Sequence, residues 1–363
     1  MNVDPALKRP LFNRFPALLG KLPFIPLGKL PTPVKPLAAL ADEIGIEDLW
    51  VKCDDISASV YGGNKIRKLE FLLADAMEQG CTSVLTFGGL GSNHALATSI
   101  NCKQLGLDCI AVLTPEPATA AVRQTLRYHQ QLGTRLEIAQ RYADARVIAN
   151  KLIEDLGTTS VYEVPFGGSS WLGATGFVNA GLELADQIAA HQISEPDTIY
   201  LGCGTAGSTA GLALGLQLAG LKTKIEAIQV TPDSIQPTKL FAQLIKETGL
   251  RLRALDTSIN LTRLPATTVN IRQDQLGDGY AMPTEAATEA ARLMMQTEHI
   301  PASLTYTGKA MAALIADARA RQLEGKRILF WNTFNSKPYP ELPEDESWRA
   351  LPEGVHHLFS KSY

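Results

Sequence analysis

From about residue 80 onward, short apolar runs alternate with amphipathic stretches, a pattern that predicts strands and helices in turn. Strands are expected over 82–87, 109–113, 135–139 and 160–164, with helices over 93–105, 118–132 and 143–156 between them. Each of these helices closes on a glycine, Gly106, Gly133 or Gly157. Glycine accepts the left-handed conformation past a helix end at little steric cost. A longer helix is expected over 174–190, and the pattern then restarts with a strand over 198–201, a helix over 209–219 and a strand over 224–230. Helices over 236–248, 284–298 and 309–322 and a late strand over 327–331 complete the reading. Such alternation implies parallel βαβ units with right-handed crossovers. The expected class is α/β: two open twisted parallel-sheet αβα domains, one large (1–66 plus 181–363) and one small (67–180). The chain would cross between them twice and leave a cleft that houses the active site.

Upstream of that alternation stands the run Tyr61-Gly62-Gly63-Asn64-Lys65-Ile66-Arg67-Lys68-Leu69-Glu70. Ile66, Leu69, Leu72, Leu73, Ala76 and Met77 follow helical spacing, so a packed helix can fix the lysine at its mouth. A crowded amine loses part of its preference for charge, and the neutral amine is the nucleophile that forms imines. The plain alternative is a glycine turn followed by a solvated lysine.

Two further loops lie where a strand gives way to a helix. In Phe87-Gly88-Gly89-Leu90-Gly91-Ser92-Asn93-His94 the glycines let backbone N–H groups approach a ligand, and the new helix end favours an anion such as a carboxylate. Ser92 and Asn93 would face the same space; a simple helix cap is the alternative. His94, on the emerging helix, reads as structural from its position and enters the substrate-binding set only with its loop. The second loop, Leu201 to Gly211, carries Gly204, Thr205, Ala206, Gly207 and Ser208, and suits a phosphate held by backbone N–H groups and hydroxyls. Residues 202, 204 and 207 satisfy GxGxxG, so a dinucleotide site must be weighed. That site wants an acid ending the next strand, but here the strand ends Gln229-Val230-Thr231 and Asp233 follows a proline. Weaker signals are Gly167-Gly168-Ser169-Ser170, Tyr280 after Gly277-Asp278-Gly279, and Tyr306 before Thr307-Gly308-Lys309.

A length of 363 residues suggests about two domains, and 45% hydrophobic with 20% charged residues is ordinary for a soluble globular protein. A formal charge of −3 gives no reason to expect nucleic acid or a membrane surface as partner. Pro5, Pro10 and Pro16 break the first 21 residues, so no signal peptide is expected there, nor a transmembrane run anywhere. The five cysteines are odd in number and scattered, which suits reduced thiols in a cytoplasmic protein. Neither they nor the six histidines show metal-ligand spacing, and no metal is expected. The tail after Pro338, rich in glutamate and proline, has no readable function. An amine anchor, a phosphate cradle and an anion-binding loop in one α/β protein together suggest pyridoxal 5'-phosphate.

The run Gly62 to Glu70, followed by Gly91-Ser92-Asn93, resembles the D-cysteine desulfhydrase and 1-aminocyclopropane-1-carboxylate deaminase family. These are pyridoxal-phosphate enzymes of the tryptophan-synthase-β-like fold, fold type II, and the similarity runs from about Leu30 to Thr333. The resemblance implies that Lys65 is the Schiff-base lysine, that Asn64 lies beside the cofactor, and that 204–208 form the phosphate site. It implies that Ser92 and Asn93 contact the substrate carboxylate, that Ser92 assists proton or nucleophile chemistry, and that Tyr280 and Tyr306 are the two active-site tyrosines. It makes the large domain the cofactor domain and the protein a homodimer. Deaminases of the family carry a glutamate after the second tyrosine and an aliphatic residue in the late-strand motif; here Thr307 and Thr333 stand there, as in desulfhydrases. The expected activity is therefore β-elimination from a small amino acid, D-cysteine giving pyruvate, sulfide and ammonia. Desulfhydrases usually read His-Thr-Gly-Gly where this chain has Asn332-Thr333-Phe334-Asn335. That departure is expected to reshape the wall beside the ring and admits cysteate, as in an L-cysteate sulfo-lyase. The alternatives kept are ring opening of 1-aminocyclopropane-1-carboxylate, an NAD-binding oxidoreductase resting on GxGxxG, and a non-catalytic amino-acid sensor.

Overall fold

The computed structural model describes residues 8–260, 267–339 and 346–359. The chain forms two compact units, Met1–Phe71 with Ser169–Lys337, and Leu72–Gly168 with Pro338–Tyr363.

The first unit is built on a six-stranded sheet in the order β1 (Val34–Pro36), β2 (Asp48–Lys52), β10 (Arg327–Trp331), β7 (Thr198–Cys203), β8 (Lys224–Gln229) and β9 (Val269–Arg272). Pairing is parallel throughout, apart from the antiparallel edge pair β1–β2. Side chains alternate across the sheet, as strand geometry requires. On β10, Ile328 and Phe330 join a core shared with α2 (Ala38–Ile44), α10 (Glu285–Glu298) and α11 (Thr307–Arg319). Leu329 and Trp331 face the opposite core, under α7 (Trp171–Ala189), α8 (Gly207–Ala219) and α9 (Pro237–Leu255). A short first helix, α1 (Pro10–Arg14), lies on α7.

The second unit carries an all-parallel sheet in the order β5 (Arg135–Ile138), β4 (Asp108–Thr114), β3 (Ser83–Gly89) and β6 (Val161–Val164). Ile110 and Val112 of β4 pack with α6 (Tyr142–Leu156), while Ala111 and Leu113 pack with α4 (Asn93–Leu105) and α5 (Ala120–Leu132). One helix, α3 (Lys65–Glu78), runs through the border between the units.

The borders fall after 71 and 168, where the sequence places them after 66 and 180, and residues 338–363 group with the smaller unit. Contacts at both borders explain the shift. Arg67, in the first turn of α3, is fully buried against Asp54 and Glu183, and Phe71 stacks on Phe12 at 6.4 Å between centroids. The start of α7 is bound to α8 through glycines. A Cβ at Gly211 would stand 2.1 Å from the Ala174 carbonyl oxygen, and one at Gly215 would stand 2.4 Å from that of Val178. Both helix starts therefore belong with the larger sheet.

Other differences are local. The elements α2, β1, β2 and β9 were not anticipated; three of the four are short, and β1 and β9 are sheet edges with mixed burial. Gly106 and Gly133 take the left-handed conformation, but Gly157 does not, with φ 92° and ψ 128°. Met77 is exposed rather than packed, whereas Ile66, Leu69, Leu72, Leu73 and Ala76 are buried.

Candidate active site

Lys65 opens α3, and the loop before it is held from two strands. A Cβ at Gly62 would stand 1.9 Å from the Asp55 carbonyl oxygen, so only glycine passes there. Gly63 has φ +97° and donates its N–H to the Asp54 carbonyl at 2.7 Å. From the far side, Asn64 N–H donates to the Thr333 carbonyl at 3.1 Å, and Gly62 N–H to Asn335 Oδ1 at 2.7 Å. The loop is thereby pinned between the segments that follow β2 and β10. Lys65 itself is half-buried but crowded. Desolvation lowers its amine pKa to about 8, opposed by Cys203.

Beside this lysine, the β7–α8 joint forms a cradle. Ala206 takes a left-handed conformation at φ 58° and starts α8 without a side-chain cap, which leaves first-turn N–H groups for a ligand. Three hydroxyls gather there. Ser169 Oγ and Thr205 Oγ1 are 2.7 Å apart, and Ser208 Oγ accepts from Asn64 Nδ2 at 3.1 Å. Lys68 adds a buried amine, donating to Ser169 Oγ at 3.3 Å. Burial, and then the like charge of Lys65, drive the Lys68 amine well below the ordinary lysine range. A Cβ at Gly207 would stand 2.5 Å from Ser169 Oγ and 2.8 Å from Lys68 Nζ, so a side chain there would displace both groups.

The tyrosines also meet in this unit. Tyr280 and Tyr306 share a hydroxyl–hydroxyl hydrogen bond of 2.8 Å, with rings edge to face. A Cβ at Gly204 would stand 3.7 Å from Tyr306 Cε1, which ties the pair to the cradle. Lys309 braces the approach to Tyr280 by donating to the carbonyls of Leu276 (2.7 Å) and Gly279 (3.0 Å). Thr307 Oγ1 accepts from Ser303 N–H at 2.8 Å, and Thr333 meets the Lys65 loop through its carbonyl. Asn332 is fully buried with neither side-chain polar atom hydrogen-bonded to the protein.

In the second unit, Ser92 caps α4 by accepting from Ala95 N–H at 3.2 Å. Gly88 makes room for it, since a Cβ there would stand 2.3 Å from Ser92 Oγ. Asn93 begins the helix. His94 is buried and its Nε2 hydrogen-bonds Thr86 Oγ1 at 3.1 Å. Glu116 lies across the loop, where its Oε2 accepts from Gly91 N–H at 2.9 Å. The sequence alone assigns no role to Lys68 or Glu116, and to Ser169 only a weak signal within Gly167–Ser170. Lys68 was within reach, being one helical turn from Lys65 on the same face.

Hydroxyls, an uncapped helix start and a buried lysine that an anion would charge suit a phosphate monoester, and an amine of lowered pKa beside them suits an aldehyde. Pyridoxal phosphate carries both groups. The dinucleotide alternative lacks its acid, because β8 ends on Gln229 and Asp233 is already an acceptor for Gln229 (2.8 Å) and Gln273 (2.9 Å). Comparison with known proteins agrees. Residues 25–333 match the family of pyridoxal-phosphate dependent enzymes, and the chain belongs to it. It is 34% identical over 306 residues to the D-cysteine desulfhydrase of Salmonella choleraesuis (strain SC-B67), spanning 82% of this chain and 89% of that protein. The D-cysteine desulfhydrase of Salmonella schwarzengrund (strain CVM19633) is 33% identical over the same spans. Among solved structures, an ACC deaminase homologue superposes with a TM-score of 0.75 at 29% identity, covering 92% of this chain and 95% of that one. A fungal L-serine ammonia-lyase from Rhizomucor miehei, at 21% identity and a TM-score of 0.59 over 85% and 95% of the two chains, shares the fold. The chain is thus a pyridoxal-phosphate-dependent lyase of fold type II. Among the described residues no helix is long and apolar enough to cross a membrane.

Proposed function

We propose that this lyase removes the β-substituent of D-cysteine, consuming one water and releasing pyruvate, ammonia and hydrogen sulfide. The 34% identity to a D-cysteine desulfhydrase across most of both chains carries the choice of substrate. Neutral Thr307 and Thr333, where deaminases place a glutamate and an aliphatic residue, favour it over cyclopropane ring opening.

Lys65 is the covalent anchor, and Lys68, Ser169, Thr205, Ser208 and the amides from Ala206 to Ser208 hold the phosphate. Asn64, fixed by Ser208 at 3.1 Å, orders the space between anchor and cradle. When bound, pyridoxal phosphate would supply an aldehyde for the substrate amine and an electron sink for the pair left at Cα. With the cofactor held there, Lys65 would be placed to take the Cα proton, and a pKa of about 8 suits that work near neutral pH. Ser92 and Asn93 hold the substrate carboxylate at the start of α4, with Ser92 as the second candidate base. Tyr280 and Tyr306 hand a proton to the departing sulfur through their shared hydrogen bond. The larger unit serves as the cofactor domain. Five buried free cysteines suit a reducing cytoplasm. A homodimer is the assembly the family resemblance favours, and light scattering on the eluted peak measures it.

The deciding experiment gives purified enzyme D-cysteine, L-cysteine, cysteate and 1-aminocyclopropane-1-carboxylate. Expected are sulfide and pyruvate from D-cysteine, and borohydride labelling of Lys65. Production of 2-oxobutanoate with no sulfide from D-cysteine, or normal turnover by Lys65→Ala, overturns the reading. Bound cofactor without turnover on any of the four points to an amino-acid sensor.

A further inference from the structure

Beyond residue 333, where the family match ends, the tail folds onto the second unit. Leu351, Val355 and Leu358 are no more than 4% exposed and share one apolar cluster with Leu90, Ala95 and Val122. Polar contacts fasten the same segment to α5: Arg123 donates to the Leu358 carbonyl at 3.3 Å, and Gln130 to that of Ser347 at 2.6 Å. Tyr339 stacks on Tyr128 with 4.8 Å between centroids.

The cluster has a particular place in the loop Gly88–Asn93. Leu90 sits at its centre, two residues before Ser92. Ala95 donates the N–H that Ser92 Oγ accepts at 3.2 Å. Val122 stands behind Gly91, with its Cγ2 3.0 Å from where a Cβ would be. The residues on both sides of Ser92 are therefore seated on the patch that the tail completes.

We propose that residues 346–359 are a positioning element for this loop, and that Leu351, Val355 and Leu358 act through Leu90 to hold Ser92 and Asn93 ready for the substrate carboxylate. The inference rests on the reading of that loop given above and deepens it. A loop already ordered spends no binding free energy on its own immobilisation, so weakening the seat should appear in substrate binding. The cofactor cradle includes no tail residue, and its occupancy should persist.

The test uses the full-length holoenzyme with Val355→Ala, the milder Val355→Thr, Leu90→Ala, and the Leu90→Ala/Val355→Ala double variant. Expected is a rise of roughly tenfold in KM for D-cysteine with kcat within about twofold, and unchanged cofactor absorbance and borohydride labelling at Lys65. The double variant should cost less than the sum of the two single ones, because both side chains belong to one apolar cluster. An unchanged KM in both Val355 variants overturns the proposal. So does additivity of the two alanine changes, or failure of both Val355 variants to fold, since each describes a tail that serves folding alone. Half-saturation of the cofactor's absorbance change by D-alanine reads the same shift without turnover. If wild-type enzyme makes no pyruvate from D-cysteine, the proposed activity fails while this readout still judges the tail.

Discussion

Replacing Arg67 with methionine should damage this protein more than any surface change. The guanidinium donates to Asp54 at 2.7 and 2.9 Å and to Glu183 at 2.9 and 3.0 Å. Lys52 adds a 2.6 Å bond to Glu183, and Trp331 Nε1 a 2.8 Å bond to Asp54. Two cations and two carboxylates balance in a region closed to water. Methionine keeps much of the length but leaves both carboxylates facing a single lysine. Removing one member of a buried pair costs about 3–5 kcal/mol, against a total stability of about 5–15 kcal/mol. The pH dependence follows from Glu183. Burial pushes its carboxyl up, but Arg67 and Lys52 outweigh that and hold it below the ordinary range. A depressed carboxyl stabilises fully above its unfolded value of about 4.3 and loses that contribution as pH falls through the folded value. Urea midpoints measured at pH 7 and pH 4 should therefore fall on acidification in the wild type. They should be lower and less pH-sensitive in Arg67→Met. Arg67→Lys, which keeps the charge but not the fork, should lie between them. A loss below about 1 kcal/mol at pH 7 would falsify the claim that this cluster carries stability.

Three other replacements probe the site. Lys68→Met removes a charge-assisted partner worth about 1.5–3 kcal/mol, so the Kd for pyridoxal phosphate, read by fluorescence quenching, should rise roughly 10- to 100-fold. A change under about twofold would place the phosphate elsewhere. Lys309→Met frees the carbonyls of Leu276 and Gly279, and should lower kcat about tenfold through Tyr280 while leaving cofactor affinity intact; equal loss in both would make Lys309 a folding residue. Glu116→Gln keeps an acceptor for Gly91 N–H but removes a negative charge beside the loop proposed to bind the substrate carboxylate, so KM for D-cysteine should fall about two- to fivefold. A higher KM would show that the charge aids binding.

Much of the architecture was readable because it rests on local periodicity. The expectation for α4 matches the structure residue for residue, and α5, α6, α8 and α10 differ by a residue or two at one end. Elements defined by pairing were not readable: β1 and β9 are short edge strands whose hydrogen bonds come from residues distant in sequence. The site divides along the same line. Lys65, Asn64 and the 204–208 loop announce themselves through glycine and hydroxyl content. Ser169 reaches Thr205 only because α7 and α8 meet glycine to glycine, and no local pattern places Glu116 on Gly91. The tail hid its role for a related reason, since Leu351, Val355 and Leu358 have meaning only beside Leu90.

Asn335, one half of the Phe334-Asn335 departure from the desulfhydrase pattern, has a backbone role that the sequence does not announce. Sequence comparison placed its effect at the wall beside the ring, hence at the leaving group. In the structure Asn335 is spent on the backbone: Oδ1 accepts from Gly62 N–H at 2.7 Å and from Lys337 N–H at 3.2 Å, and Nδ2 donates to the Lys337 carbonyl at 2.8 Å. Both polar atoms of its side chain are engaged, and Oδ1 holds the loop that delivers Lys65. Asn335→Gly, which restores the family's residue, would leave the buried Gly62 N–H without its acceptor, at about 1–3 kcal/mol. The melting temperature and the yield of borohydride labelling at Lys65 should both drop, while the ratio of kcat/KM for D-cysteine to that for cysteate stays within about twofold. If that ratio moves tenfold with stability unchanged, Asn335 governs the leaving group after all, and the backbone clamp is incidental.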